Sequence, residues 1–206
     1  MRAKPSTTQA TAALKTKSLG SPSHELRIIG GLWKRSKIKV IDKPGLRPTP
    51  DRVRETLFNW LGQDLTGWKC VDAFAGTGAL GFEAASRGAQ PVEMIEQDAQ
   101  LVKLLEATQQ RLKASAVIVQ RTDALLALQR LTPGHFDLVF LDPPFEATYF
   151  QKAVKAAALA VSPGAWVYLE APQKWDAEAL QDSGLVLAKY LKAGAVHAHL
   201  LQRPSE

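Results

Sequence analysis

Asp142-Pro143-Pro144-Phe145 stands directly behind an apolar run at 136–141. Two consecutive prolines fix the backbone and donate no hydrogen bonds, so the Pro143 carbonyl between them is left to accept. Asp142 supplies a second acceptor beside it. Two adjacent acceptors match an exocyclic NH₂ group on a nucleobase, which has two protons to give. A nitrogen held in that way turns pyramidal and aims its lone pair at an electrophile. Phe145 offers a face on which a base taken out of its stack can rest. Standing alone, the same four residues would be a rigid turn from strand to loop carrying a surface aspartate.

A second constellation lies earlier in the chain, at Val71-Asp72-Ala73-Phe74-Ala75-Gly76-Thr77-Gly78-Ala79-Leu80-Gly81. The spacing Gly76-x-Gly78-x-x-Gly81 fits a glycine turn between a strand and a helix. There the backbone bends tightly and the helix N-terminus presents free N–H groups to a ligand. Asp72, just ahead of the turn, is placed to meet a cationic amino-acid moiety. Glu96, 20 residues beyond Gly76, is placed to take both hydroxyls of a ribose. Asp123, after the next strand, can accept from an adenine amino group, and Phe74 inside the turn joins the expected contacts. Each carboxylate could instead serve as a helix N-cap, and a dinucleotide cofactor would use the same acidic ribose contact.

The elements that must position these residues alternate along the chain. Strands are expected at 69–73, 91–95, 117–120, 136–141, 165–170, 185–189 and 196–202. Helical patterns fall near 79–87, 98–113, 123–130, 147–161 and 175–182. Such alternation builds βαβ units and a parallel sheet with helices on both faces. The gap 190–195 is too short for a crossover helix, so the last two strands should pair antiparallel. The fold class is therefore α/β, a Rossmann-like seven-stranded sheet of the class I methyltransferase kind, mostly parallel with a terminal antiparallel pair. Ahead of it, β-like runs at 26–33 and 38–41 flank a basic turn, Lys34-Arg35-Ser36-Lys37, and suggest a small hairpin. Thr49-Pro50 reads as an N-cap and first turn, opening a helix over 51–61 with Val53, Leu57 and Trp60 on one face. Three segments result: a disordered basic tail over 1–24, a hairpin-and-helix extension over 25–62, and the sheet domain over 63–206.

Charge divides the chain in the same place. Residues 1–60 hold 13 Lys and Arg against 4 Asp and Glu, whereas the remaining residues hold 13 against 16. A basic front on a slightly acidic body fits a polyanion held at one end, with Arg27, Lys34, Arg35 and Lys37 as its first contacts. The opening 24 residues lack acidic side chains, as an organellar transit peptide does, but contain a single arginine. No run of apolar residues is long enough to span a membrane. Cys70 is the one cysteine, which fits a reducing compartment, and the four histidines do not form a zinc-site spacing.

Asp142-Pro143-Pro144-Phe145 after the fourth sheet strand resembles the fourth motif of amino-methyltransferases, which act on adenine N6, cytosine N4 or guanine N2. Arg27-Ile28-Ile29-Gly30-Gly31, the segment Leu46-Arg47-Pro48-Thr49-Pro50-Asp51-Arg52-Val53-Arg54-Glu55, the glycine turn and Ser86-Arg87-Gly88-Ala89 together resemble the RsmD family. Those are bacterial guanine-N2 methyltransferases of small-subunit (16S) ribosomal RNA. The resemblance spans about 27–202. It implies that Asp72, Gly76, Gly78, Glu96 and Asp123 bind S-adenosylmethionine and that Asp142, Pro143 and Phe145 hold the guanine amino group. It also implies that Arg47, Thr49, Arg52, Arg54 and Glu55 frame the pocket and the RNA. The implied substrate is an assembled or nearly assembled subunit, with ribosomal proteins as part of the surface, met by a monomer in the cytoplasm. An adenine methyltransferase, a catalytically silent RNA-binding assembly factor and a nicotinamide oxidoreductase are the competing readings. The last leaves the Pro-Pro turn unexplained.

Overall fold

The computed structural model describes residues 25–43, 49–143 and 147–205. In chain order the elements are β1 (Glu25–Arg27), β2 (Lys37–Lys39), α1 (Asp51–Leu61), β3 (Cys70–Asp72), α2 (Ala79–Ser86), β4 (Val92–Glu96), α3 (Ala99–Leu112) and β5 (Val117–Arg121). They continue with α4 (Ala124–Arg130), β6 (Phe136–Leu141), α5 (Ala147–Ala160), β7 (Val161–Ala171), α6 (Ala177–Leu180), β8 (Val186–Ala193) and β9 (Val196–Gln202). The strands β1 and β2 pair antiparallel as a hairpin, but the first ends at Arg27 rather than running on to residue 33, and Lys37 belongs to the second strand rather than to the turn. The other seven form one sheet in the order β5-β4-β3-β6-β7-β9-β8. Its first five strands run parallel, and β9 lies antiparallel between β7 and β8.

Each sheet face carries its own apolar core. Val71, Val139, Leu141, Val167 and Leu169 face Val154, Phe150 and Trp175 on one side. On the other, Met94, Phe140 and Tyr168 pack with Phe58, Phe82 and Leu105. Strands buried on both faces read as continuous apolar runs, which is why β6 is legible from Phe136-Asp137-Leu138-Val139-Phe140-Leu141. Two boundaries move. The strand β7 begins at Val161, ahead of Pro163-Gly164, because a register irregularity opposite Phe136–Leu138 accommodates the pair, with Gly164 at φ 79°. The strand β8 runs on to Ala193, leaving a two-residue turn with Gly194 at φ 62°.

The N-terminal extension shares the second core. Ile28 and Ile38 of the hairpin and Val53, Leu57 and Phe58 of α1 are buried in it. The buried face of α1 is Val53, Arg54, Leu57, Phe58 and Leu61, and Trp60 lies at its margin. Polar contacts fix the docking. The buried Glu83 on α2 accepts from the backbone N–H groups of Ile29 and Gly30, both at 2.7 Å. It also pairs with Arg87 at 2.7 Å and with Arg54 at 3.6 Å. Gly31 has φ +71°, and a Cβ built on it would stand 1.8 Å from the Ser86 carbonyl oxygen. Backbone contact that close admits glycine alone. The Gly30-Gly31 and Ser86-Arg87 motifs are thus two halves of one joint.

Removing Glu83 leaves the buried Arg87 guanidinium without its carboxylate and Arg54 with Asp51 alone, and breaking a buried pair in this way costs about 3–5 kcal/mol. Glu83→Ala is therefore expected to lower the free energy of unfolding by about that amount in denaturant melts. Hydrogen exchange should show the amides of Ile29 and Gly30 losing protection first.

Candidate active site

A cavity of about 1120 Å³ opens over the C-terminal ends of β3, β4, β6 and β7. In an open α/β sheet this crevice forms where the strand order reverses, and here it reverses at β3, between β4 and β6. Among the described residues six carboxylates line it: Asp72, Glu96, Asp98, Asp123, Asp142 and Glu170. Among the described lining residues Lys43 is the one cation, and it is paired with Asp98. Such a lining selects for positive charge on the ligand.

The glycine turn builds the floor. Gly76 and Gly78 adopt φ of 51° and 78°, and Gly78 caps α2 in the left-handed conformation. The Asp72 carboxylate accepts from the Gly81 N–H at 2.9 Å and from the Phe74 backbone. Burial, followed by the neighbouring charges of Glu96 and Glu170, pushes Asp72 up from 3.8 to about 7 against those hydrogen bonds. Glu96 spans two loops, accepting from Gly76 N–H at 2.9 Å and Asp98 N–H at 2.8 Å. Asp123 caps α4 through the Leu126 N–H at 2.9 Å and accepts from the Tyr149 hydroxyl at 2.9 Å. The N-cap alternative for Asp123 is therefore realised, at a residue that also lines the cavity. Tyr149 meets the Phe74 ring edge-on at 6.1 Å, so the two aromatics flank one wall.

Asp142 and Pro143 line the cavity together with Glu170. Asp142 is half-buried. Its carboxyl is raised well above the usual range by burial and by the charges of Glu170 and Asp72. Glu170 is buried and accepts from the Tyr168 hydroxyl at 2.9 Å. It is also hydrogen-bonded to the Thr49 side chain. The sequence reading places no role on Glu170, although the expected strand at 165–170 ends on it as the other strands end on Asp72 and Glu96. Lys43, Asp98 and Tyr149 are further lining residues outside any quoted motif.

Two expectations change. Thr49 does not cap α1: Pro50 holds that position with no side-chain cap. The Thr49 hydroxyl is turned into the cavity wall instead, where a buried carboxylate needs a partner. Arg54 does not face RNA, because its side chain has no exposed surface and is held by the Arg27 carbonyl at 3.0 Å, Asp51 at 2.6 Å and Glu83. Arg27, Lys34, Arg35, Lys37 and Arg52 are exposed, and Lys37 pairs with Glu25 at 2.6 Å. Phe145, Arg47 and the 1–24 tail lie outside the described residues.

This sheet order, with a glycine turn and an acidic crevice at the reversal point, defines a methyltransferase of the Rossmann-like class. The family model described as "Conserved hypothetical protein 95" matches residues 26–202, and the chain belongs to that family. It is 39% identical over 178 residues to Ribosomal RNA small subunit methyltransferase D of Haemophilus influenzae, covering 79% of this chain and 91% of the relative. The Escherichia coli protein of the same name is 44% identical over 134 residues, covering 65% of this chain and 67% of the relative. A solved structure of a putative methyltransferase from Escherichia coli superimposes with a TM-score of 0.77 at 35% identity. That match covers 89% of this chain and all of the other.

The raised proton affinity of Asp72 fixes the sign of a pH effect. Its stabilising, protonated form is fully present below about pH 4 and is lost as pH rises through about 7. The ligand-free protein should therefore lose on the order of a few kcal/mol across that window. Asp72→Asn, which keeps an acceptor for the Gly81 N–H, should flatten the slope in thermal melts taken at successive pH values.

Proposed function

We propose that the protein transfers a methyl group from S-adenosylmethionine to N2 of a guanine in small-subunit (16S) ribosomal RNA. We place this reaction in an assembled or nearly assembled subunit, carried out by a monomer in the bacterial cytoplasm. The observation that carries the reading is the meeting of Asp142-Pro143 with the acidic glycine-turn cavity at adjacent strand ends. Bound in that cavity, S-adenosylmethionine supplies a methyl group on a positively charged sulfur, together with an ammonium group. The donor set fits both, since six carboxylates face them against one paired lysine. Asp72 would take the ammonium end and Glu96 the ribose hydroxyls, while Asp123, Phe74 and Tyr149 would border the adenine.

On the rim, Asp142 and the Pro143 carbonyl accept from the base amino group and hold its lone pair toward the methyl carbon, with Phe145 as the stacking face. Alignment and preorganised charge do most of the work in such a transfer. The relatives named as small-subunit ribosomal RNA methyltransferases support the RNA substrate. In this reading, residues 25–62 form the RNA-contacting extension of a catalytic domain over 63–206. The exposed Arg27, Lys34, Arg35, Lys37 and Arg52 then meet phosphates. An adenine-N6 methyltransferase shares every step but the identity of the base.

Incubating the protein and labelled S-adenosylmethionine with small subunits from a strain lacking the enzyme, followed by nucleoside analysis, should yield N2-methylguanosine. N6-methyladenosine would reverse the base assignment. Asp142→Ala should lower single-turnover transfer by about 10²–10³, the usual cost of one preorganised electrostatic group. Asp142→Asn should fall between the unaltered protein and the Ala variant, because it keeps an acceptor oxygen for the amino group but loses the charge. RNA affinity should fall with salt at a log–log slope of about −0.7 per phosphate contact. Neutralising Lys34, Arg35, Lys37 and Lys39 together should flatten that slope and leave cofactor binding intact, and an unchanged slope would remove the hairpin from the interface.

A further inference from the structure

Glu170 is more than a wall of the cavity. The strands β6 and β7 run parallel, and their last paired residues before the site are Leu141 and Leu169. Asp142 and Glu170 hold the next position on each, at neighbouring strand ends about 4.8 Å apart, and both line the cavity. Glu170 is 3% exposed, and its carboxylate has two hydroxyl neighbours, Tyr168 at 2.9 Å and Thr49. The titratable groups that face it are Asp72 from β3, Asp142 from the end of β6 and Tyr168 on its own strand. All are acids, and Lys43, the one cation among the described lining residues, is committed to Asp98.

We propose that Asp142 and Glu170 act as one proton-accepting pair, with Glu170 as the positioning residue that readies Asp142 to take the proton lost by the methylated nitrogen. The inference rests on the function proposed above. In that reaction the base nitrogen forms a bond to the methyl carbon, and the electron pair of the broken carbon–sulfur bond stays on sulfur. The positive charge moves from sulfur to nitrogen, which then sheds one proton. While the cavity holds a sulfonium, its charge keeps the adjacent carboxylates ionised. Once the charge has left sulfur, two neighbouring carboxylates with no cation between them cannot both remain ionised at low cost, so they share a proton. The pair takes up a proton at the moment the nitrogen has one to give. The Tyr168 and Thr49 hydroxyls hold Glu170 in place for this and steady its ionised form.

Calorimetry of the full-length protein near neutral pH, in two buffers of different ionisation heat, counts the protons released on binding. S-adenosylmethionine should release more than S-adenosylhomocysteine, whose sulfur is uncharged. In Glu170→Gln, which keeps an acceptor for both hydroxyls, that difference should fall to near zero, and single-turnover transfer should slow by roughly 10²-fold. Tyr168→Phe removes a donor from the ionised carboxylate, so its difference should rise above that of the unaltered protein. An unchanged difference in Glu170→Gln would overturn the pair. If circular dichroism shows that variant unfolded, an unchanged difference in Tyr168→Phe would overturn it instead. Failure of the unaltered protein to bind S-adenosylmethionine at all would overturn the cofactor assignment beneath it.

Discussion

Carboxylates resist burial, and they resist it more when their neighbours are also carboxylates. The crevice at the end of this sheet nevertheless gathers six of them, brought together by the ends of separate strands and by the caps of the helices that follow. Backbone geometry makes the gathering tolerable. Asp72 accepts from the Gly81 and Phe74 N–H groups, Glu96 from Gly76 and Asp98, and Asp123 from Leu126. At Asp72 these hydrogen bonds favour the charged form while burial opposes it, and burial wins. A cavity in that condition stores unfavourable electrostatic energy that a cationic ligand relieves, so part of the ligand's affinity is built in before any shape contact is made.

The glycines follow from this constraint. Gly81 lies where a Cβ would come within 2.4 Å of the Met94 side chain and 3.1 Å of the Asp72 carboxylate. A side chain there would separate the carboxylate from the N–H that steadies it. Gly78 turns the chain in the left-handed region so that α2 starts immediately over the site. The same short helix also carries Glu83: the site is anchored at the N-terminus of α2 and the basic extension at its C-terminal half. Eight residues therefore hold the ligand floor and the hairpin in fixed relation.

Much of this was legible in the sequence because the signals are local. The strand β6 and the helix α1 have the expected bounds, since an uninterrupted apolar run and a proline-led helical period are each decided within their own residues. Asp72, Glu96 and Asp123 line the cavity because the ends of parallel strands converge wherever that topology forms. What could not be read depends on contacts across the chain. Arg54 looks like one more cation in a basic segment until Glu83, on a different helix, draws it inward. Thr49 has the composition of an N-cap, but a buried carboxylate more than a hundred residues away competes for its hydroxyl. Tyr149 on α5 finds Asp123 at the start of the neighbouring α4, with no spacing rule to announce it.

Glu83 and Glu170 show how one residue type is put to opposite ends. Glu83 is fully buried among two guanidinium groups and two backbone N–H donors, so its charge is matched and the joint it forms is rigid. Glu170 is equally withdrawn from solvent, yet its described polar neighbours are hydroxyls and other acids. Hydroxyls stabilise a carboxylate without cancelling its charge. A matched charge serves structure, because any change in its protonation breaks the match. An unmatched charge remains free to respond when a cation arrives or leaves. The division follows the geometry of the sheet: the matched glutamate sits beneath the extension, and the unmatched one sits at the strand end that lines the cavity.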